Sequence, residues 1–456
     1  MGDIVSKSPR TRQEQDSLGP IDVPVNALYG GQTARAMQNF PVSGITIGDL
    51  PHLIRALAQV KKAAARTNAQ LGQMSRVKAD LICRVCDEII AGDHHSHFPV
   101  DVLQGGAGTS TNMNVNEVIA NRGLELMGQP CGIYGPLHPN DDVNRAQSTN
   151  DVYPTAVRIA LMTAVPELIA AVNDLSSAFD GKGTEFAAIM KLGRTELQDA
   201  VPISLGAEMR AYGSTLREDV ERLTAAIRLL SEVNLGGTAI GTRVAATPEF
   251  QATAVAELAR ITGLALVPSS DLIEASWDVG VFVHLSGNLK RLAVKLSKIS
   301  NDLRLLSSGP RGGFGEIALP PMQPGSSLMP GKVNPVIPEM MNQVAFQVVG
   351  IDVSITLAAE GGQLQLNPFE PLIAYGLLHS VKLLRNAVKT LCEKCVEGMA
   401  ARPDRCALHL STSTAHFAAL VPEIGYDNAT RLAREMEASG ESWDSFSARH
   451  GLPTRS

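Results

Sequence analysis

Four polar segments interrupt the apolar pattern of the chain, and their side chains are suited to binding a small anion. Ser, Thr and Asn donate neutral hydrogen bonds to carboxylate oxygens, while Lys supplies the opposite charge. No segment offers a nucleophile beside a base. Together they predict a polyanion site, although each segment alone is better explained by a structural role such as the helix capping open to Ser148, Thr149, Thr109 and Ser110. The segments are QGGAGTSTNMNVNEVIANR from Gln104, NRAQSTNDVYPT from Asn144, KLGRTELQDAVP from Lys191 and GSSLMPGKVNP from Gly325.

Two familiar site motifs are ruled out by the residues around them. The pair Gly331 and Lys332 resembles the end of a phosphate-binding loop, but Val333 follows where Ser or Thr is needed, and the upstream spacing is wrong. No GxGxxG fingerprint follows a strand pattern, and no GxSxG elbow occurs. The sequence therefore argues against a nucleotide-binding protein and against a Ser-His-Asp hydrolase.

Cysteine and histidine patterns do not predict a metal site. Cys83/Cys86 and Cys392/Cys395 have the spacing of zinc or redox pairs. Both pairs, however, lie in apolar, helix-like segments, where residues three apart share a helix face. Buried, reduced thiols are the better interpretation. The run HHSH at 94–97 lacks a second ligand cluster and is predicted to be a solvated loop, so no metal is expected.

Long helices are predicted by apolar residues that alternate steps of four and three. The third of these helices should end at Ser307–Pro310, because proline cannot continue the hydrogen-bond ladder. Pro166 is expected to kink or interrupt the first. The stripes are Leu161, Val165, Leu168, Val172 and Leu175; Leu216, Val220, Leu223, Ile227 and Leu230; and Leu285, Leu289, Leu292, Leu296, Ile299, Leu303 and Leu306.

The fold class predicted from these stripes is all-α, with a small hairpin possible near the N-terminus. Aromatic residues make up only 4% of the chain, and alternating strand patterns are scarce. With 456 residues, two or three domains are expected. The change from short, mixed segments to long helical ones places an N-terminal domain at 1–144, a central helical bundle at 145–399 and a small C-terminal domain at 400–456.

Charge and hydropathy limit the possible partners and location. The formal net charge is −6, with acidic and basic residues well mixed, so no basic stripe is available for nucleic acid. The polar first residues contain no signal core, and no later stretch is expected to be long enough and free enough of charge to span a bilayer. These features predict a soluble cytoplasmic protein with no nucleic-acid or membrane partner.

A long segment between the third helix and Val336 is too rich in Gly and Pro to be a helix or a central strand. It reads SSGPRGGFGEIALPPMQPGSSLMPGKVNP. Loops of this length inside a compact domain are uncommon and usually functional or disordered. The segment is therefore a candidate active-site lid.

All four polar segments closely resemble signature segments of the aspartase/fumarase superfamily, and GSSLMPGKVNP nearly reproduces the family signature. The resemblance runs from about Gly19 to about Asn428, in the right order and spacing. Within the family, NPVIPEMMNQVAFQVVGID and GGQLQLNPFEP look like aspartases, whereas fumarases usually carry NPTQ and GNFELN there. The resemblance implies a three-domain fold with a tetrameric helical core, and reversible elimination of ammonia from L-aspartate without a cofactor.

The resemblance also assigns roles to individual residues. Ser326 is expected to be the general base, acting as an alkoxide that neighbouring amides and loop closure stabilise. The other assigned residues should bind the substrate carboxylates from separate segments, which in this family come from three subunits of a homotetramer. These binding residues are Thr109, Ser148, Thr149, Asn150, Thr195, Lys332 and Asn334.

The chain departs from the family pattern at Glu196, where His or Gln usually stands. A carboxylate repels a dicarboxylate substrate, so either Glu196 is protonated in the complex or it faces a cationic group of the substrate. The second case implies a lyase acting on another amino acid or an N-substituted aspartate. Two further alternatives stay open independently of Glu196: a fumarate hydratase and an inactive structural bundle. Intact Ser326, Lys332 and Asn334 argue against the last.

Overall fold

A computed structural model of the chain describes residues 10–453, and helices dominate it. The fold is all-α, as predicted. The helices are α1 Gly31–Asn39, α2 Pro51–Gln70, α3 Arg76–Ala91, α4 Thr109–Leu126, α5 Thr149–Glu185, α6 Leu205–Arg228, α7 Pro248–Thr262, α8 Gly280–Leu306, α9 Val336–Glu360, α10 Glu370–Leu391, α11 Pro403–Ser411, α12 Phe417–Ile424, α13 Tyr426–Ser439 and α14 Trp443–His450.

Strands occur only as short pairs in the described part of the chain. The antiparallel pair of β1 (Thr11–Asp16) and β2 (Gly19–Pro24) is the predicted N-terminal hairpin. A second hairpin joins β3 (Met190–Thr195) to β4 (Gln198–Ser204). The remaining pairs are two residues long: β5 (Glu232–Val233) with β6 (Val267–Pro268), and β7 (Ile317–Ala318) with β8 (Ala400–Ala401).

The predicted apolar stripes face the protein interior. All seven stripe residues of α8 are buried, and α8 ends at Leu306, directly before the predicted stop signal. The predicted interruption of α5 is wrong, because the helix continues through Pro166. A proline removes one donor from the helical ladder, and the buried stripe residues Val165 and Leu168 on either side hold the helix in place.

The chain divides into two compact units, and each consists of three separate stretches. The first unit contains the described residues up to Glu167, with Leu223–Leu289 and Val348–Lys382. The second contains Leu168–Arg222, Lys290–Gln347 and Leu383 onward. Helices α5, α6, α8, α9 and α10 contribute residues to both units. The division into three domains at residues 144 and 399 stays a prediction.

Each unit has its own helix contacts. In the first, α2 packs against α3 and α7, and α4 packs against α1 and α3. In the second, α6 binds α8 through a bond from the Tyr212 hydroxyl to Asp302 (2.9 Å) and through an ion pair between Asp219 and Arg291. The C-terminal helices of this unit, to which no catalytic residue was assigned, pack around Trp443 and Phe446.

Two sequence expectations about environment need correction. Helices α5 and α9 are long and apolar enough, by length and composition, to cross a membrane, and 67% and 33% of their most apolar windows are buried. The extensive burial of α5 is typical of a core helix. Residues 94–97 are not a solvated loop: His97 accepts a hydrogen bond from the Leu28 N–H, and the His95 ring bonds the Ile89 carbonyl.

The cysteine prediction is confirmed. All four CxxC thiols are free and buried. Cys83 and Cys86 lie in α3, and Cys392 and Cys395 lie in the π-helical turn that follows α10. Burial raises the pKa of Cys395 to about 12, so this thiol stays protonated at neutral pH and is a poor nucleophile.

Candidate active site

Ser326 lies in the second unit, on the Gly/Pro-rich loop that precedes α9. Its hydroxyl oxygen accepts hydrogen bonds from the backbone N–H groups of Leu328 and Met329, both at 3.0 Å. Two backbone donors aimed at one oxygen form a small anion-binding nest. The local chain fold therefore favours the deprotonated form of this hydroxyl over that of a free serine.

The base of this loop is closed by two short hydrogen bonds. The Gly325 N–H donates to the Lys332 carbonyl at 2.7 Å, and the Asn334 side-chain amide donates to the Gly325 carbonyl at 2.8 Å. A side chain at Gly325 would meet the Lys332 carbonyl at 2.5 Å, so the closure requires glycine. The closure brings the backbone of Gly325, next to Ser326, against Lys332 and Asn334.

The loop surrounds an open cavity of about 580 Å³. Ser326 and Lys332 line it together with Pro321–Pro324 and Met329–Val333. The loop also exposes apolar side chains, and that of Leu328 is 84% exposed. Exposed apolar residues beside an open cavity are typical of a segment that covers a ligand.

Thr195 and Glu196 also lie in the second unit, at the tip of the β3–β4 hairpin. Thr195 pairs with Gln198, so Glu196 and Leu197 form the two-residue turn, with φ values of 54° and 63°. Turns of this kind match the twist of a hairpin, but they normally use Asn and Gly. A charged residue held in the left-handed region at a hairpin tip is a candidate functional feature.

A buried ion network anchors the hairpin. The Glu316 side chain is fully buried and lies 2.8 Å from Arg194, 3.0 Å from Lys191 and 2.8 Å from His409. Burial alone would raise the pKa of Glu316, but the bonds from Arg194 and His409 and the charge of Lys191 hold it below its usual range. Because Lys191 and Arg194 belong to β3, this network fixes the strand that ends in Thr195.

In the first unit, Thr109 begins α4 after a strained turn. Gly106, Ala107 and Gly108 all have positive φ, and the Thr109 hydroxyl donates to the Gly106 carbonyl at 2.7 Å. The helix N-cap is Gly108, so the capping interpretation of Thr109 is wrong. A side chain at Gly108 would meet the Tyr153 ring at 2.5 Å, and this close approach sets the turn against α5.

Ser148, Thr149 and Asn150 form the N-terminus of α5. Ser148 precedes the first helical residue, and its hydroxyl accepts from the Asn150 N–H at 3.3 Å. The Thr149 hydroxyl accepts from the side-chain amide of Asn112 in α4 at 3.1 Å. The two polar segments of this unit therefore meet, and helix N-termini attract anions.

A buried lysine that the sequence did not single out lies behind this terminus. Lys61 in α2 is fully buried and donates to Asn144 at 2.9 Å and to Gln147 at 3.0 Å. Burial lowers the pKa of Lys61 to about 7. Its sequence context, VKKAAA, gives no sign that it differs from a surface lysine, and only the fold identifies it.

Sequence reasoning also missed residues 234–243, NLGGTAIGTR. This segment lies against Asn150, whose side-chain amide donates to the Ala239 carbonyl at 2.8 Å. Thr238 has a φ of 58°, and its buried hydroxyl has no hydrogen-bond partner among the described residues. A fifth polar, glycine-rich interruption between helices was the available signal.

The predicted site residues thus form two groups. Thr109, Ser148, Thr149 and Asn150 belong to the first unit, while Thr195, Glu196, Ser326, Lys332 and Asn334 belong to the second. Within residues 10–453, no group of three or more His, Cys, Asp or Glu side chains could hold a metal ion. The donors are hydroxyls, amides and one lysine, which are suited to organic anions.

Known proteins resemble the chain over nearly its whole length. A family model described as lyase matches residues 19–350. An aspartate ammonia-lyase from Pseudomonas fluorescens is 57% identical, with 96% of this chain and 92% of that protein covered. The aspartate ammonia-lyase of Escherichia coli K12 is 49% identical, with 97% and 93% covered.

Solved structures agree with these relatives. A Brucella melitensis protein described as fumarate lyase:delta crystallin, bound to cobalt, has a TM-score of 0.95 and 55% identity, with 97% of this chain and 96% of that chain covered. A class II fumarase from Schistosoma mansoni has a TM-score of 0.93 and 35% identity, with the same coverage. The chain belongs to the aspartase/fumarase superfamily of lyases.

Proposed function

We propose that this chain is an aspartate ammonia-lyase, which reversibly eliminates ammonia from L-aspartate to give fumarate, and that Ser326 is its general base. The observation that carries the choice of base is the pair of backbone N–H groups that donate to the Ser326 hydroxyl oxygen. A serine hydroxyl is too weak a base at neutral pH unless its alkoxide is stabilised. Two donors in fixed positions supply that stabilisation.

The reaction requires negative charge to be stabilised as it develops. Ser326 takes the proton from the carbon beside the side-chain carboxylate, and the C–H electrons move onto that carboxylate as an enediolate-like dianion. The electrons then return to form the double bond while the C–N bond breaks and ammonia leaves with its electron pair. Donors that bind the dianion more tightly than the substrate lower the barrier.

The remaining site residues are proposed to bind the two substrate carboxylates. Hydroxyl and amide donors come from Thr109, Ser148, Thr149, Asn150 and Thr195, and Lys332 and Asn334 complete the pocket from the Ser326 loop. The exposed apolar side chains of that loop support closure over bound substrate, which would exclude water and strengthen each of these bonds.

The first experiment follows fumarate by its ultraviolet absorbance while the protein is incubated separately with L-aspartate, L-malate and argininosuccinate. Ser326→Ala is the matched variant, because it keeps both backbone donors and removes only the oxygen. A signal with L-aspartate alone that is lost in the variant is the expected result. A fully active Ser326→Ala enzyme would reject the base assignment, and silence with all three substrates would direct attention to Glu196.

We further propose a homotetramer whose helical core includes α9. Phe346, Val353 and Leu357 are 66%, 55% and 65% exposed. Their spacings of seven and four place them on one helix face, which supports burial against other subunits. Phe346→Asp should lower the native mass measured by light scattering, whereas Gln343→Asp, at an exposed polar position of the same helix, should change it less. An unchanged mass for Phe346→Asp would exclude this face from the interface.

Active sites shared between subunits can be tested by complementation. Thr149→Ala and Ser326→Ala change different groups of the site, and each is expected to be inactive alone. If one site draws Thr149 and Ser326 from different chains, random co-assembly of the two variants leaves about a quarter of the sites intact. No recovery of activity in mixed oligomers would show that both residues act within one chain.

We also propose a cytoplasmic location, because a freely soluble substrate and product suit it.

A further inference from the structure

Asp151 binds two separate segments of the first unit through one buried carboxylate. One carboxylate oxygen accepts the Ser148 N–H at 2.9 Å. The other accepts the N–H groups of Gly236 and Thr238, both at 2.9 Å. Three backbone donors therefore converge on a side chain whose exposure is 0%. Neither Asp151 nor residues 236–238 have a role in the proposed reaction.

Further bonds join the same two segments on either side of this carboxylate. The Asn150 side-chain amide donates to the Ala239 carbonyl at 2.8 Å, and the Asn234 side-chain amide donates to the Asn150 carbonyl at 3.0 Å. Residues 148–150 are thus held against residues 234–239 along their length. A shift of the backbone of residues 148–150 would therefore break their bonds to residues 234–239.

The charge of Asp151 is matched to its position. Burial raises the pKa of Asp151 to about 6, although the hydrogen bonds from Ser148, Thr238 and Gly236 and the positive charge of Lys61 act to lower it. The carboxylate is therefore ionised at neutral pH, which suits an oxygen pair that faces three N–H donors. An amide of the same shape would turn an NH₂ group toward some of those donors and leave them unpaired.

We propose that Asp151 is a positioning residue for substrate binding, because it fixes the donors of Ser148, Thr149 and Asn150 against residues 234–239. This inference rests on the proposed role of residues 148–150 in binding carboxylate. Asp151 does not touch the substrate in this account. It sets the positions of the donors that contact the substrate. A displacement of such donors by about 1 Å can lower the reaction rate on the order of 100-fold.

The test compares Asp151→Asn with wild-type enzyme in three measurements: KM and kcat for L-aspartate, the inhibition constant for succinate, and the thermal unfolding temperature. We expect KM and the succinate constant to rise together by roughly 10-fold or more, because both ligands need the same carboxylate donors. Asp87→Asn is the control, since Asp87 pairs with Lys62 on the surface of the same unit and its side chain is 58% exposed.

A purely structural role for Asp151 predicts a different pattern. It would lower the unfolding temperature and the amount of active enzyme, but the surviving enzyme would keep the wild-type KM and succinate constant, and that result overturns the inference. If Asp151→Asn cannot be recovered folded, Asn234→Ala loosens the same pairing from the other segment. A raised KM and succinate constant in Asn234→Ala would support the inference, and unchanged values would reject it.

Ser148→Ala separates failure of this inference from failure of the proposed function. The variant removes a proposed carboxylate ligand but keeps the N–H that binds Asp151. Unchanged succinate binding in both Ser148→Ala and Asp151→Asn would count against the carboxylate role of Ser148 and against the positioning role that depends on it. Weakened binding in Ser148→Ala alone would reject the positioning role of Asp151 and leave the substrate site as proposed.

Discussion

Replacing Glu316 with Gln should destabilise the second unit, because it removes the one carboxylate shared by Lys191, Arg194 and His409. Loss of one partner from a buried ion pair typically costs about 3–5 kcal/mol, since the opposite charge stays buried. The lower end of this energy range applies to Glu316→Gln, because two of the three partners keep another contact. Lys191 keeps Glu208 at 3.0 Å, and Arg194 keeps the ring of Phe314, 4.1 Å from its guanidinium carbon. We therefore expect a loss of about 3 kcal/mol.

The assay is thermal unfolding followed by circular dichroism at one protein concentration and one scan rate. For a unit of this size, 1 kcal/mol corresponds to about 2–4 °C, so the predicted fall is roughly 6–12 °C. Glu185→Gln is the matched control, because its ion pair with Lys182 is a surface pair and the Glu185 side chain is 55% exposed. Such pairs are worth about 0–1 kcal/mol.

The KM for L-aspartate should also rise in Glu316→Gln, since Thr195 ends the anchored strand.

The pH dependence of this difference has a definite sign. The folded-state pKa of Glu316 lies below its ordinary value of 4.5, so the ionised carboxylate stabilises the fold fully above that value. The contribution disappears as the pH falls through the folded-state pKa. Wild type and Glu316→Gln should therefore converge in acid. A fall of less than about 2 °C at pH 7, or a gap that widens in acid, would refute the account of the network.

Two further predictions concern the hairpin tip and the turn before α4. Glu196→Gln should preserve or increase kcat/KM for L-aspartate, because the amide removes a negative charge that repels a dicarboxylate substrate. Abolished activity would favour a substrate with a cationic group that Glu196 faces. Gly108→Ala should lower the unfolding temperature and the yield of folded protein, since a methyl group there meets the Tyr153 ring at 2.5 Å in a backbone with a φ of 89°. A variant as stable as wild type would mean that the turn adapts at little cost.

Local patterns predicted the helices and their ends because the interactions that form them are short in range. The spacing of Leu285 to Leu306 required one buried helix face, and Pro310 required an end soon after it. Ser326, Lys332 and Asn334 could also be predicted to lie near one another, because they fall within nine residues, and the structure joins this segment through a closure that requires glycine.

Other features depend on residues far apart in the chain, and no local signal marks them. Nothing around Lys61 distinguishes it from its neighbour Lys62, yet Lys61 is fully buried beside Asn144. The buried carboxylate of Glu316 gathers its partners from β3 and α11. The helix continues through Pro166 for the same reason, since packing on both sides of a proline can maintain a helix that its local chemistry disfavours.

The sequence by itself determined the helical class and, by resemblance, the superfamily, and it predicted the anion-binding residues and the serine base, because residue type and spacing carry that information directly. Only the tertiary structure decided that backbone donors meet the Ser326 oxygen, that Glu316 anchors the strand leading to Thr195, and that Asp151 joins residues 148–150 to residues 234–239. The physical reason is that a buried polar group must be hydrogen-bonded by a group that lies close to it in space. That group can lie anywhere along the chain, so local sequence does not identify it.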